Sequence, residues 1–420
     1  MPHRRLLQVL VLALIASLPG IATAADCSAT SKGFVPLIDL GAGLYQGFPG
    51  GLYGAGSNAR PNAHEAAGVA IAHAIVPLDT LDSPDPNGRI VMISIGMSNC
   101  TQEFSAFVQR ANVDPQKNPR VKAIDCAVGG WSADRIKDPA AAYWDSVGAR
   151  LRRQGSTPLQ PQVVWIKEAN ASPKGGFPAS ADSLLWNLGS IVRNIKSKLP
   201  NVKLVYLTSR IYAGYASSAL NPEPYSYESG FAVKWLLDAQ IAGEDSLNWD
   251  PNAGPTHAPW MSWGPYLWAD GLTPRSDGLT WACSEFVSTD GTHPSETGRA
   301  KVADNLLAFF QHDVTTAPWY VKATTSVPAP LVRALVLAIA PDPTPGEIRI
   351  SFALAEGRAW RLELLDLSGR RVAELGHGRG AGRMESVAAD LRSAGKPGVY
   401  WLRLSDSGGT VAQQRVVLRP

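Results

Sequence analysis

The 420-residue sequence predicts an α/β fold, a three-layer α/β/α sandwich with a parallel sheet, followed by a small all-β sandwich domain. Two observations predict it. Between residues 88 and 312, short apolar β-branched runs alternate with segments of helical periodicity, which is the pattern of βαβ units. Beyond a proline-rich stretch the period falls to two, with Gly and Ser-Gly turns between runs, as in an antiparallel sandwich.

Residues 1–24 open with Arg4 and Arg5, continue through an apolar run over residues 6–18 and close on Ala22-Thr23-Ala24. This reads as a cleaved secretory signal. Pro19 and Gly20 interrupt the run well short of the ~20 residues a spanning helix needs, and no later segment is long and apolar enough to span. Asp26 before Cys27 does not suit a lipidated cysteine. Residues 25–87 read as a loop-rich segment packed on the following domain, the Gly-rich residues 41–56 being surface loop.

Four strands are expected at residues 90–95, 121–125, 163–166 and 202–207, each nearly continuous in apolar residues and so buried on both faces. Leu184, Leu188, Ile191, Val192, Ile195 and Leu199 recur at helical spacing before Pro200-Asn201 stops that helix. Val302, Ala303, Leu306 and Phe310 mark the last helix, and the α/β domain is expected to end near His312. Residues 313–345 carry Pro318, Pro328, Pro330, Pro341, Pro343 and Pro345 and read as an extended linker. In the β-domain, residues 346–420, strands are expected at 348–352, 360–364, 398–404 and 413–418.

Composition sets the outer limits. With 45% hydrophobic and 18% charged residues the chain is not disordered as a whole. With 39 Lys+Arg against 36 Asp+Glu and no basic block, nothing supports a nucleic-acid partner. No His/Cys cluster has metal-ligand spacing, so neither a metal nor a cofactor is expected. Four cysteines remain in the exported chain and allow three pairings. A Cys100–Cys126 bridge is geometrically reasonable if the strands before them are neighbours, which leaves Cys27 with Cys283.

The chemistry concentrates at strand ends. Gly96-Met97-Ser98-Asn99 places Ser98 at the carboxyl end of the first strand, where α/β sheets carry their sites, although a serine there also caps helices. In Asp290-Gly291-Thr292-His293-Pro294, one turn of chain lets Asp290 accept from an imidazole whose other nitrogen faces a serine. Gly129-Gly130 after the second strand can bring a backbone NH to an oxyanion, and Asn170 after the third strand can add a side-chain amide.

Taken in order, Ser98, Gly130, Asn170 and Asp290/His293 resemble the signature residues of the SGNH (GDSL-type) hydrolases, over about residues 88–312. The resemblance implies Ser98 as nucleophile and oxyanion donor, His293 as base, Asp290 as its orienting acid, Gly130 as the oxyanion glycine with Gly129 as register alternative, and Asn170 as the oxyanion asparagine. Two positions depart from the pattern. Met97 stands where an acidic residue is usual, and Glu168 where a glycine is usual. If Glu168 faces the site it binds a substrate hydroxyl or adds negative charge near His293.

Trp131 beside Gly130 is, with Met97 and Glu168, a candidate substrate contact. Trp249, Trp260, Trp263, Trp268 and Trp281 precede Asp290, and most are expected to pack their loop onto the domain, the remainder to wall a cleft. The expected substrate is an acylated polysaccharide or oligosaccharide; a lipid or small ester, or glycan binding without turnover, are the alternatives. The β-domain resembles immunoglobulin-like C-terminal sorting domains of type IX secretion, through Leu362-Glu363-Leu364-Leu365-Asp366-Leu367-Ser368-Gly369-Arg370, the run at 398–404 and the closing Val416-Val417-Leu418-Arg419. That resemblance implies a secreted or cell-surface protein with the secretion machinery as a partner.

Overall fold

The computed structural model describes residues 24–322, 337–354, 357–381, 384–393, 395–406 and 409–419. The predicted leader up to Thr23, and Pro328 and Pro330 of the predicted linker, lie outside these residues. The described residues form two compact units, one reaching Lys322 and the other starting at Leu337.

The first unit is built on a five-stranded parallel sheet of β1 (Ile90–Gly96), β2 (Val121–Ile124), β3 (Pro161–Lys167), β4 (Leu204–Leu207) and β5 (Trp260–Trp263), in spatial order 2-1-3-4-5. Every residue of β1, β3, β4 and β5 is buried, because helices cover both faces. Burying each aliphatic side chain of those runs contributes about 1.5–3 kcal/mol. The longer helices are α1 (Asn62–His73), α2 (Ser98–Val113), α3 (Ala142–Arg153), α4 (Ala179–Lys198), α5 (Tyr225–Ile241) and α6 (Glu296–His312). Five of the six expected stripe residues of α4 lie inside it, and Leu199 caps it; all six are buried, as are the four of α6. In this strand order the chain reverses direction across the sheet between β1 and β3, so the carboxyl ends of those two strands border a crevice.

The structure adds elements that the sequence reading lacks. β5 falls in the tryptophan-rich segment, and Trp260, Trp263, Trp268 and Trp281 are buried while Trp249 is half-buried. The cluster is thus core and not a platform for sugar rings. α1 lies within residues 25–87 and packs on β5: His64 Nε2 meets the Met261 carbonyl at 2.8 Å, and Trp260 Nε1 donates to the His64 carbonyl at 3.1 Å. The first unit also extends beyond His312. A turn at Ala317–Tyr320 buries Trp319 and Tyr320, and Asn118 donates its backbone NH to the Tyr320 carbonyl at 2.7 Å.

The second unit has β6 (Ala338–Ala340), β7 (Glu347–Ala353), β8 (Ala359–Leu365), β9 (Arg371–Arg379), β10 (Met384–Asp390), β11 (Gly398–Asp406) and β12 (Gly409–Leu418). They form two antiparallel sheets, β9-β8-β11-β12 and β10-β7-β6. Ile348, Ile350 and Phe352 from one sheet share a core with Leu362, Leu364, Leu402, Leu404 and Val416 from the other. β9 escapes the sequence reading because it contains Gly376 and Gly378; the Trp360 ring of β8 covers that strand, close enough that a Cβ on Gly378 would lie 2.9 Å from it.

Candidate active site

Ser98 is the first residue of α2, two positions beyond the end of β1. Met97 before it has extended backbone (φ −97°, ψ −156°), and no side chain caps the helix, so the Ser98 hydroxyl is not engaged as a cap. The turn is tight enough to demand glycine at its start: a Cβ on Gly96 would lie 2.5 Å from both the Lys167 carbonyl oxygen and the Cys100 Cβ. Ser98 Oγ lies 2.8 Å from His293 Nε2.

His293 Nδ1 is 2.8 Å from Asp290 Oδ2. Because a carboxylate accepts only, Nδ1 carries the proton and Nε2 is left as the acceptor for the Ser98 hydroxyl. Asp290 Oδ1 is held in turn by the backbone NH groups of Thr292 at 2.7 Å and His293 at 2.9 Å. Partial burial acts to raise the Asp290 carboxyl, but those two NH groups and the imidazole outweigh it and hold the group below its ordinary value. The loop is fixed on several sides. Gly291 takes φ 61°, and a Cβ there would fall 2.0 Å from the Tyr215 carbonyl oxygen. Ser217 NH donates to the Asp290 carbonyl at 3.1 Å, Asn99 Nδ2 to that of Thr292 at 3.1 Å, and Ala25 NH to that of Ser288 at 2.8 Å.

The loop after β2 is joined to the first turn by the Val128 NH, which donates to the Gly96 carbonyl at 2.9 Å. Between the two glycines, Gly129 is the one beside the serine: a Cβ on it would lie 3.7 Å from Ser98 Cβ. Gly130, at φ 79°, faces open space, and its carbonyl accepts from Arg135 Nη1 at 3.0 Å. Asn170 is 7% exposed. Its Oδ1 accepts from Asn187 Nδ2 at 2.8 Å, and its Nδ2 donates to Ser183 Oγ at 3.3 Å, so both ends of the amide are held by one helix. Asn187 and Ser183 on α4 thus orient Asn170, and neither stands out in the sequence, because nothing local marks a helical asparagine or serine as a partner of a loop residue.

Behind these groups lies a layer of buried charge. Lys167 Nζ contacts both oxygens of Glu103, at 2.5 and 2.6 Å, and the two side chains are 1% and 0% exposed. Burial pushes the Glu103 carboxyl up and the Lys167 amine down, each against the pull of its partner's charge. Arg210, after β4, is also buried. Glu168 is 2% exposed and folds back to accept from the Ala169 NH at 3.0 Å. Burial drives its carboxyl well above the ordinary value. At 2% exposure Glu168 therefore has almost no surface to offer a substrate hydroxyl. Met97, 3% exposed, also presents almost no surface. Of the three candidate contacts only Trp131, half-buried with its ring 6.1 Å from that of Tyr143, offers a face.

Cys27 is bonded to Cys283, seven residues before Asp290. Cys100 and Cys126 are free and buried, which corrects the expected second bridge. The strands before them are neighbours, but Cys100 sits in the first turn of α2 with its Sγ 3.5 Å from the Ile95 carbonyl and its side chain against Gly96. Among the described residues no group of His, Cys, Asp and Glu is arranged to hold a metal ion, and no helix is long and apolar enough to cross a membrane.

No family model matches the chain, and no curated protein matches its sequence. Among solved structures it is similar to a carbohydrate acetylesterase from Xanthomonas citri, at 10% identity and TM-score 0.28 over 78% of this chain and 80% of that one. It is similar also to the periplasmic domain of a lipopolysaccharide acetyltransferase from Salmonella ser. Paratyphi A, at 12% identity and TM-score 0.30 over 59% of this chain and 95% of that one. A third likeness, to the sensor domain of the anti-sigma factor RsgI4 in Pseudobacteroides cellulosolvens, has 15% identity and TM-score 0.17 and covers 21% of this chain and 97% of that one. All three TM-scores are too low to carry a functional argument, so function is read from the site itself.

Proposed function

We propose that the chain is a secreted serine ester hydrolase of the SGNH type, acting through an acyl-enzyme on acetyl or other acyl esters of carbohydrates. One observation carries the reading: Ser98, His293 and Asp290 stand in hydrogen-bonded series beyond the carboxyl end of β1. His293 Nε2 takes the Ser98 proton as Oγ attacks the ester carbonyl. The oxyanion is held by backbone NH groups at Ser98 and the Gly129-Gly130 turn, with the Asn170 amide. His293 then passes the proton to the leaving alkoxide. Water, deprotonated by the same nitrogen, then attacks the acyl carbonyl, and the imidazolium returns its proton to Ser98 Oγ as the acid leaves.

A carbohydrate substrate is supported by the groove between α2 and α6, which begins one turn beyond Ser98 on one helix and at the first residue of the other. Its volume is about 630 Å³, and Thr101, Gln102, Ser105, Gln109, Glu296 and Arg299 line it. Arg110 completes the polar lining and Ala106 and Ala300 supply an apolar part, so the groove can meet sugar hydroxyls and a ring face together. Export is supported by the leader-like sequence at residues 1–24 and by the Cys27–Cys283 bridge. The carboxyl-terminal β-unit would then serve as a sorting domain.

The substrate class is tested by measuring acetate released from an acetylated polysaccharide, alongside p-nitrophenyl acetate and octanoate. Acetate release is expected, with kcat/KM for the acetyl ester at least about tenfold above that for the octanoyl ester. Preference for octanoate would replace the carbohydrate reading with a lipid one, and glycan binding without release would replace turnover with binding.

A further inference from the structure

The Glu103–Lys167 pair joins the two parts of the site that have no covalent connection nearby. Glu103 lies on α2, five residues after Ser98, and Lys167 is the last residue of β3, three before Asn170. β1 and β3 are in parallel register with Gly96 opposite Lys167, so the ends of the two strands are level where the pair forms. The ammonium contacts both carboxylate oxygens, and neither side chain reaches solvent. A buried pair of this kind stabilises a fold no better than apolar side chains of similar volume, because desolvation offsets the attraction. What it adds is direction. An ammonium between two oxygens fixes both distance and angle, where methyl groups would slide.

α2 is tied to Asp125 after β2 by the Thr101 and Ser105 hydroxyls, and to the two parts of the site by two further contacts. Asn99 Nδ2 on the Thr292 carbonyl ties it to the loop of Asp290 and His293, and the Glu103–Lys167 pair ties it to the strand that leads into Asn170. Arg210 is a third charge close enough to act on both members of the pair, and its Nε and Nη2 have no protein partner. The pair is thus embedded in a polar layer rather than in apolar core.

We infer that Glu103 and Lys167 are positioning residues that set Ser98 relative to the Asn170 oxyanion donor. This rests on the proposed serine-hydrolase reading. The pair touches no substrate and acts through the helix and the strand it joins. A displacement of about 1 Å at such a site costs on the order of 100-fold in turnover.

The test compares the wild-type chain with Glu103→Leu/Lys167→Met, which keeps apolar volume, and with Glu103→Gln/Lys167→Gln, which can keep one directional hydrogen bond. Each is measured for thermal midpoint, for active sites titrated with a fluorophosphonate, and for kcat and KM on p-nitrophenyl acetate per titrated site. The apolar pair is expected to melt near the wild-type midpoint, with kcat lowered on the order of 100-fold and KM changed little. The glutamine pair is expected to recover about tenfold of that loss. A folded apolar pair with wild-type kcat per site would overturn the inference while leaving the serine-hydrolase reading intact. Both would fall if wild-type Ser98 did not react with the probe. If the apolar pair does not fold, the glutamine pair decides alone: kcat per site within threefold of wild type at a clearly lowered midpoint, about the span of a purely structural effect, overturns positioning.

Discussion

Replacing Asp290 by asparagine will lower kcat about 10⁴-fold while leaving the protein folded. The carboxylate performs two tasks in the structure. It accepts from Nδ1 and so fixes the tautomer in which Nε2 can receive the Ser98 proton, and its charge opposes the imidazolium that forms as the proton moves. An asparagine amide fits the same space and can still accept from the Thr292 and His293 NH groups through its carbonyl. Its NH2, however, would donate to Nδ1 and leave the proton on Nε2, the wrong nitrogen. The loop NH groups and the imidazole hold the wild-type acid below its ordinary value, so it is ionised throughout the neutral range and the wild type keeps this support between pH 6 and 9. Steady-state kinetics on p-nitrophenyl acetate, with circular dichroism as the folding control, checks the prediction; a loss below about tenfold would mean that His293 does not depend on Asp290.

Asn170→Ala will lower kcat about 100- to 1,000-fold, with a smaller effect on KM, if its amide meets the developing oxyanion. The substitution also strands Asn187, whose Nδ2 loses its acceptor in a site that is 4% exposed. A stability loss of about 1–3 kcal/mol is therefore expected beside the kinetic one. The two effects separate experimentally. Asn187→Leu removes the same hydrogen bond but keeps the Asn170 amide, so it should lower stability while its kcat loss remains well below that of Asn170→Ala. Equal kcat in Asn170→Ala and wild type would place the asparagine outside the oxyanion site and leave the donors to backbone NH groups.

What the sequence makes legible is what is encoded locally. β1 and β3 are runs of apolar residues because both faces are covered, and such runs are visible without neighbours. Asp290 and His293 lie within one turn, so their contact follows from spacing alone. β5 is only four residues long and aromatic, and in sequence it looks like any packed loop. α1, in Asn62–His73, is alanine-rich with only a thin apolar stripe, so its burial against Trp260 is set by the partner surface.

The remaining parts of the site depend on tertiary pairing. Glu103 and Lys167 are 64 residues apart, and Glu103 on its own looks like a helix-start carboxylate. Asn187 becomes meaningful only once α4 is laid against the loop after β3. From the sequence Glu168 either points into the site or points outward, and the fold does neither, burying it against the Ala169 NH. The cysteines carry the same lesson. Adjacent strand ends make Cys100 and Cys126 look like partners, yet Cys100 sits in the first turn of α2 with its side chain against Gly96, and both thiols are free.

The central claim, that Ser98 is a nucleophile activated by His293, is tested most directly by treating the purified mature protein and its Ser98→Ala variant with a fluorophosphonate, then mapping the labelled peptide. Stoichiometric phosphonylation of wild type at Ser98 is expected, with no label in the variant and a parallel loss of p-nitrophenyl acetate hydrolysis by at least about 10⁴-fold. A folded wild-type protein that stays unlabelled, or one labelled at another residue with turnover surviving in Ser98→Ala, would contradict the claim.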